Sequence, residues 1–246
     1  MGTTTPFVLL ILVALTACNQ PAASERAPIL LFTGKGTSPG DVDAVERILD
    51  DNHLAYATAT SPQLNQMTTS QLMAYRMVIV PGGNFIDMSA SLTPRTTAMI
   101  HDAVQAGVNY LGICAGAFLA GDGRGYYNSF NLASGAQFGF YSAENRGIRK
   151  AAVPVSGVNA TPIEHYWEDG PELTGWGAIV GKYPDGTPAV VEGTSGKGWV
   201  ILAGVHPEAP EAWRRGLTFA KPASVANAYA EVLVQATLNR TSLPHY

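Results

Sequence analysis

The sequence predicts an α/β fold: a three-layer, open and mostly parallel sheet flanked by helices, with a C-terminal β-hairpin region. Short apolar runs alternate with helical patterns as far as about residue 119, which is typical of a parallel sheet with crossover helices. Glycine-containing turns then separate shorter runs over 151–205 and indicate hairpins. With 246 residues and 46% hydrophobic content, the chain can bury one substantial core, so we expect a single domain over 28–246.

The elements of the first half follow from apolar spacing and from turn residues. Residues 28–32 and 77–80 predict buried strands, and Pro81-Gly82-Gly83 ends the second one. Ser38 followed by Pro39 predicts the start of a helix, and another helix is expected from Thr93-Pro94 to Gly107. The remaining expectations are a short strand near Tyr56, a helix near 69–75 and a final helix over about 224–238.

The most informative motif is Gly112-Ile113-Cys114-Ala115-Gly116. It follows an apolar run that predicts a buried strand, and it has the form of a nucleophile elbow, a tight turn from strand to helix. Flanking glycines allow neighbouring backbone to approach closely while the thiol is held above the sheet. Cys114 is therefore the predicted nucleophile, and the alternative is a buried, inert cysteine.

A cysteine nucleophile needs a base and a third group that orients the base. Of the five histidines, His206 is the strongest candidate because it ends a buried strand, as Cys114 does. In open α/β sheets the ligand crevice lies at the carboxyl ends of the strands. Glu208 follows across the stiff Pro207 and is predicted to orient the imidazole. His165 stays open as another base.

Two backbone groups are predicted to stabilise an oxyanion. Pro81-Gly82-Gly83 also ends a strand, so the N–H groups of Gly83 and Ala115 are expected to face the reacting carbonyl. The alternative for Gly82-Gly83 is an ordinary tight turn. No cluster of His, Cys and Asp residues has the spacing of metal ligands, so we expect neither a metal nor a cofactor.

Together these motifs resemble the class I glutamine amidotransferase-like (flavodoxin-like) fold. Within it they are most similar to the N-terminal domain of eukaryotic-type biotin–protein ligases and its bacterial stand-alone relatives. The resemblance runs in order through Thr33–Gly40, Val78–Gly83, Gly112–Gly116, Tyr166–Gly170 and Gly196–Glu208. It implies Cys114 as nucleophile, His206 as base and Glu208 as the orienting carboxylate.

The resemblance does not imply glutamine hydrolysis. Glutamine amidotransferases usually follow the elbow glycine with a His-Gln pair that helps to bind glutamine, whereas this chain has Ala117 and Phe118. We therefore expect neither a glutamine-dependent synthetase nor biotin transfer by this chain itself.

The N-terminal residues predict export. An apolar run over 7–15 is too short to span a bilayer comfortably, and the Leu15-Thr16-Ala17-Cys18 that overlaps its end resembles a bacterial lipoprotein signal. We expect a signal peptide over 1–17, a lipid on Cys18, a tether over 18–27 and a location on the bacterial cell envelope, facing the periplasm or the exterior. The alternatives are a plain signal peptide or an uncleaved anchor. A lipidated Cys18 leaves Cys114 without a disulfide partner.

Three functions remain after these observations. The first is a cysteine hydrolase or acyl-transfer enzyme that acts on an amide bond in a small molecule or peptide. The second is a non-catalytic binding protein that uses the same crevice. An apolar recognition surface would then come from Ala117-Phe118 and from an aromatic segment, and the alternative is that these side chains only pack in the core. The segment contains Tyr126, Tyr127, Phe130, Phe138, Phe140 and Tyr141. The third, weaker one is a redox role for Cys114. A net charge of −4 and the lack of a basic run argue against a nucleic-acid partner.

Overall fold

The computed structural model describes residues 1–2, 27–142 and 150–246. Its strands are, in chain order, β1 (Ile29–Phe32), β2 (Tyr56–Ala59), β3 (Met77–Val80), β4 (Asn109–Ile113), β5 (Gly139–Phe140), β6 (Lys150–Gly157), β7 (Ile163–Glu168), β8 (Pro171–Glu172), β9 (Ala178–Lys182), β10 (Pro188–Ser195) and β11 (Gly198–Ala203). Its α-helices are α1 (Pro39–Asp51), α2 (Ser61–Gln66), α3 (Thr69–Leu72), α4 (Phe85–Ser91), α5 (Pro94–Ala106), α6 (Ala115–Ala120) and α7 (Ala223–Asn239).

Of the strands in the described residues, nine form one central sheet in the order β2-β1-β3-β4-β11-β10-β9-β6-β7. The first five strands in this order are parallel to one another, and the last four continue the sheet with antiparallel pairs. The expected α/β class, a mostly parallel sheet flanked by helices with hairpins after it, is confirmed. Strand β11 has a double role, because it pairs antiparallel with β10 and parallel with β4.

The parallel strands are buried on both faces, which explains their uninterrupted apolar runs. Leu30 and Phe32 of β1 belong to a core shared with α2 to α6. Ile29 and Leu31 belong to the opposite core, which α1 and α7 cover. Successive side chains of a strand point to opposite faces, so one four-residue strand serves both cores.

The helix boundaries test the turn signals. Helix α1 begins at Pro39 after Ser38, and α5 ends at Ala106 with Gly107 as its C-cap, whose φ of +128° suits glycine. The helix expected near 69–75 is a single turn, α3, held by the capping box between Thr68 and Gln71. Helices α2 and α4 were not predicted from the sequence, because six or seven residues are too few to display a helical period.

The export signals lie outside the described residues. These signals are residues 3–17 of the predicted signal peptide, Cys18, and the predicted tether up to residue 26. Within 27–142 and 150–246, no helix combines the length and the apolar character needed to cross a bilayer.

Candidate active site

Cys114 lies at the turn between β4 and α6, in a conformation that few residues adopt. Its φ is +48° and its ψ is −103°, outside the favoured regions for a residue with a Cβ atom. Two features hold it there. Its N–H donates to the carbonyl of Ala203 on β11 at 2.8 Å. A Cβ on Gly116 would lie 2.0 Å from the carbonyl oxygen of Val80, so only glycine lets α6 approach β3 this closely.

His206 follows β11 and lines the same cleft as Cys114. The His206 N–H donates to the carbonyl of Tyr166 on β7 at 2.8 Å, which fixes the backbone at this point. On the ring, Nδ1 lies 2.9 Å from Oε1 of Glu208 and 3.0 Å from Oδ1 of Asp41. All three side chains are buried. One imidazole edge thus faces two carboxylates.

The charges around His206 favour its protonated form. Burial by itself lowers the pKa of His206, but Cys114, Asp41 and Glu208 outweigh burial and hold that pKa well above its ordinary range. Burial raises the pKa of Glu208, His206 lowers it, and Asp41 raises it again, so the net direction is upward. Two buried carboxylates beside one ring nitrogen favour an imidazolium at His206.

Gly82 leaves the space that this arrangement needs. A Cβ at residue 82 would lie 2.2 Å from Oδ1 of Asp41 and 2.5 Å from Cε1 of His206. Any larger residue would therefore displace one of the two side chains. The carbonyl of Gly82 also accepts the N–H of Ser38 at 3.2 Å, which links the end of β3 to the start of α1.

The cleft that holds the thiol, here called the thiol cleft, has a volume of about 580 Å³. Three aromatic rings form one wall: the rings of Phe85 and Phe118 stack at 4.5 Å, and Phe140 lies 5.0 Å from Phe118. Glu168 and Asp169 lie among the other lining residues, and Sγ of Cys114 is 3.7 Å from the backbone oxygen of Glu168. The cleft therefore combines an apolar wall with acidic groups.

The structure brings the main predicted residues together. Cys114, His206 and Gly83 line the thiol cleft, and Glu208 lies against His206 on the side of Nδ1. Ala115 is the first residue of α6, so its N–H has no partner within that helix. At Gly83, the bridge to 36–38 uses the carbonyl of Gly82 and the N–H of Asn84, which leaves the Gly83 N–H out of that bridge.

His165, the other base considered, lies elsewhere. It is buried beside Tyr229 of α7, with 5.4 Å between the ring centroids, and does not line the thiol cleft. Burial, and after it the charge of Arg214, lowers the pKa of His165 to about 3. Glu168 of β7 lines the thiol cleft, and the alternation of side chains along a strand places residue 165 on the opposite face.

The six side chains of the aromatic segment do not form a single surface, so that prediction is wrong. Phe130 and Phe138 are buried in the core, and Tyr141 stacks on Tyr183 at 3.7 Å. Phe140 alone among the six lines the thiol cleft, because β5 pairs with β8 and carries this ring over the site. Tyr127 supports the wall from behind, 5.1 Å from Phe85.

Asp41 is the site residue that sequence reasoning missed. It lies in the first turn of α1, directly after β1, so its position at the carboxyl end of a parallel strand was an available signal. Asp41, His206 and Glu208 each offer one ligand atom, all within 4.8 Å of one another, and one nitrogen with two carboxylates is a donor set that suits a divalent cation. A cation bound there would have to replace a proton on Nδ1 of His206.

Comparison with known proteins identifies the family. The sequence profile described as "Biotin-protein ligase, N terminal" matches residues 27–149, which is half of the chain. The protein belongs to this family. The matched residues include Asp41, Gly83 and Cys114, whereas His206 and Glu208 lie beyond them, so the tertiary structure is what places these two in the site.

Similar proteins support the family and the fold. The biotin–protein ligase of Schizosaccharomyces pombe is 26% identical over 159 residues, which cover 54% of this chain. The chain spans only about a quarter of the length of that relative. A glutamine amidotransferase from Thermotoga maritima has a TM-score of 0.58 at 13% identity, over 87% of this chain and 96% of that chain. A Thermoplasma acidophilum protein described as a GMP synthase subunit has a TM-score of 0.55 at 12% identity, over 87% and 96%. At such identities the solved structures show the glutamine amidotransferase-like fold.

Proposed function

We propose that the protein is a cysteine-nucleophile amide hydrolase or acyl-transfer enzyme. The observation that carries the proposal is the convergence of Cys114, on a strained elbow, with a buried His206 that faces two carboxylates in one cleft. Strained backbone of this kind persists at functional sites because the surrounding structure holds it. A merely structural cysteine has no need of this conformation or of an imidazole neighbour.

Each residue then has a role in the reaction. The thiol proton already resides on His206 when Sγ of Cys114 attacks the carbonyl carbon of the substrate, and His206 then donates this proton to the leaving nitrogen. Glu208 and Asp41 orient the ring and stabilise the imidazolium. The N–H groups of Gly83 and Ala115 stabilise the oxyanion. Asp41 is a positioning residue in this scheme, because it acts through His206.

The aromatic wall limits the substrate. Phe118 stands where glutamine amidotransferases carry a polar residue, and Phe85 and Phe140 extend the apolar surface beside it. An apolar acyl group gains free energy on this wall, whereas the carboxamide of glutamine would lose hydrogen bonds to water. We propose that the electrophilic half of the substrate is an apolar acyl group. The reaction of this chain is then neither the hydrolysis of glutamine nor the transfer of biotin.

We propose that the protein acts on the bacterial cell envelope as a lipoprotein. The apolar run over 7–15 and the Leu15-Thr16-Ala17-Cys18 motif support this location. Metabolic labelling with a palmitate analogue tests it: we expect label on the wild-type protein and none on Cys18→Ala. Label that persists in the variant would overturn the proposal.

Acylation of Cys114 tests the enzyme directly. We expect p-nitrophenyl phenylacetate to form one acyl adduct on the wild-type protein, mapped to Cys114 by peptide mass spectrometry, and to release p-nitrophenol with turnover. His206→Ala is expected to slow adduct formation by at least about tenfold, a threshold set below the about 10²–10⁴-fold that a positioned base typically contributes. If the adduct forms on other residues, or equally fast without His206, the proposal is wrong.

A binding protein is the second candidate, and the aromatic wall of Phe85, Phe118 and Phe140 favours it. Apolar ligands would then occupy the thiol cleft without reaction at Cys114. Complementation in cells separates the two candidates. An enzyme loses its cellular function in Cys114→Ala, whereas a binding protein retains it.

A further inference from the structure

A second cleft lies beside His206. It has a volume of about 410 Å³ and includes Trp213, Tyr166 and Arg215 among its lining residues. His206 and Asp41 line both this cleft, here called the Trp213 cleft, and the thiol cleft. Cys114 lines the thiol cleft but not the Trp213 cleft. The catalytic imidazole proposed above therefore stands where two cavities meet.

Aromatic groups shape the Trp213 cleft. The ring of Trp213 lies 5.4 Å from that of Tyr166 and 5.8 Å from that of His206, between centroids. Trp213 lies against Gly40 at the start of α1, where a Cβ would be 3.0 Å from the indole. Glycine at this position thus lets the indole lie close to the helix. The indole offers a partly exposed apolar face to whatever enters the cleft.

Among the described residues that line the Trp213 cleft, the charged groups differ in whether a partner offsets them. Nζ of Lys150 lies 3.4 Å from a carboxylate oxygen of Glu168, so these two charges offset each other. Asp41 is engaged with His206. Arg215 also lines the cleft, and it is an exposed residue. A guanidinium at a cleft entrance suits a carboxylate, which it binds through two parallel hydrogen bonds.

The chemistry of amide cleavage assigns the two cavities to two halves of a substrate. Attack by Sγ of Cys114 forms a thioester, and the C–N bond breaks as the proton on His206 passes to the leaving nitrogen. Water then hydrolyses the thioester to a carboxylic acid and restores the thiol. The acyl half must therefore lie beside Cys114, and the leaving amine must lie on the side of His206.

We propose that the Trp213 cleft binds the leaving half of the substrate, and that this half is an amine with a free carboxylate, such as an amino acid. The inference rests on the function proposed above and makes it more specific. The substrate class is then an N-acyl amino acid with an apolar acyl group. The acyl group lies on the wall of Phe85, Phe118 and Phe140, the side chain lies against Trp213, and Arg215 binds the carboxylate.

A matched pair of substrates tests this assignment. N-phenylacetyl-leucine and N-phenylacetyl-leucinamide differ only in the terminal carboxylate, and the released amine is measured for each. We expect kcat/KM to be at least about tenfold higher for the carboxylate, which corresponds to about 1.4 kcal/mol of transition-state stabilisation. Arg215→Ala is expected to remove this preference by raising KM for the carboxylate only. Arg95→Ala, at an exposed position on α5, is the charge-matched control and is expected to retain it.

The outcomes separate this inference from the function on which it rests. If p-nitrophenyl phenylacetate acylates Cys114 but the two leucine substrates are cleaved equally, or not at all, the Trp213 cleft has been assigned wrongly. An equal loss with both substrates in Arg215→Ala overturns the assignment too. If the activated ester leaves Cys114 unmodified, the proposed function and this inference both fail.

Discussion

Replacing Asp41 by Asn removes one of the two negative charges that face His206, while the side chain keeps nearly the same size. Oδ1 of Asp41 lies 3.0 Å from Nδ1, and both groups are buried, so solvent screens the interaction poorly. An opposite charge at this distance shifts a pKa by about 1–3 units, and one unit corresponds to about 1.4 kcal/mol. We expect Asp41→Asn to lower the pKa of His206 by about that amount, which disfavours the imidazolium that accompanies a Cys114 thiolate.

The alkylation rate of Cys114 by iodoacetamide reports this change. We expect the rate near pH 7 to fall by about tenfold or more in Asp41→Asn, because each unit of lost His206 pKa reduces the ion-paired form about tenfold. The difference from wild type should be largest on the upper-pH side of the profile, since the imidazolium is lost as the pH rises through the pKa of His206, and that pKa is lower in the variant. Asp43→Asn, at an exposed position on α1, is the matched control and is expected to alkylate at the wild-type rate.

Equal profiles for Asp41→Asn and the wild-type protein would refute the role of Asp41. A metal ion held by Asp41, His206 and Glu208 is the competing interpretation, and it predicts a different result. If the purified protein contains a stoichiometric metal ion, and a chelator changes the alkylation rate, the interpretation of His206 as an imidazolium is wrong. We expect a chelator to leave the rate unchanged.

Three further predictions concern stability. Below about pH 6.5 the unfolded chain protonates His165, whereas the folded protein does not until about pH 3. As the pH falls through this range, we therefore expect His165 to lower the free energy of unfolding by about 1.4 kcal/mol per pH unit in urea titrations. This contribution of His165 to the pH dependence should be absent in His165→Leu. Cys114→Gly should be more stable than Cys114→Ala by about 1 kcal/mol. This is the ~1–3 kcal/mol of backbone strain that glycine relieves, less the ~0.5–1 kcal/mol of conformational entropy that glycine loses on folding. A Gly variant less stable than the Ala variant would show that the backbone at residue 114 is not strained. Gly116→Ala should cost about 1–3 kcal/mol or more, because its Cβ would lie 2.0 Å from the oxygen of Val80, whereas Gly139→Ala, with nothing within 4 Å, should cost little; similar thermal midpoints would contradict this.

Local signals predicted most of the sheet and the two ends of the site. A strand buried on both faces needs a continuous apolar run, and such runs marked β1, β3, β4 and β11. Cys114 and His206 each follow one of these strands, so their common edge was predictable. The pairing of β11 with β4 was not, because strand order depends on packing between elements that are distant in the sequence.

The aromatic residues show where sequence patterns stop being informative. Phe130 and Phe140 lie ten residues apart in one glycine-rich segment, yet one is core and the other lines the thiol cleft. Such a segment shows neither the two-residue period of a strand nor the 3.6-residue period of a helix, so its local sequence does not predict the direction of each aromatic ring. Phe85, which forms the other half of the wall, was not predicted for the same reason, since α4 is too short to show a face.

The sequence by itself determined the fold class, the elbow at Cys114 and the His206-Pro207-Glu208 turn, because apolar runs, flanking glycines and a stiff proline act over a few residues. The tertiary structure decided the rest of the site. It placed Asp41 of α1 against His206, 165 positions later in the sequence, and it set Trp213 beside the same ring. Contacts of this kind are set by the order and twist of the sheet, which bring the carboxyl ends of separate strands to one edge, and no local pattern encodes them.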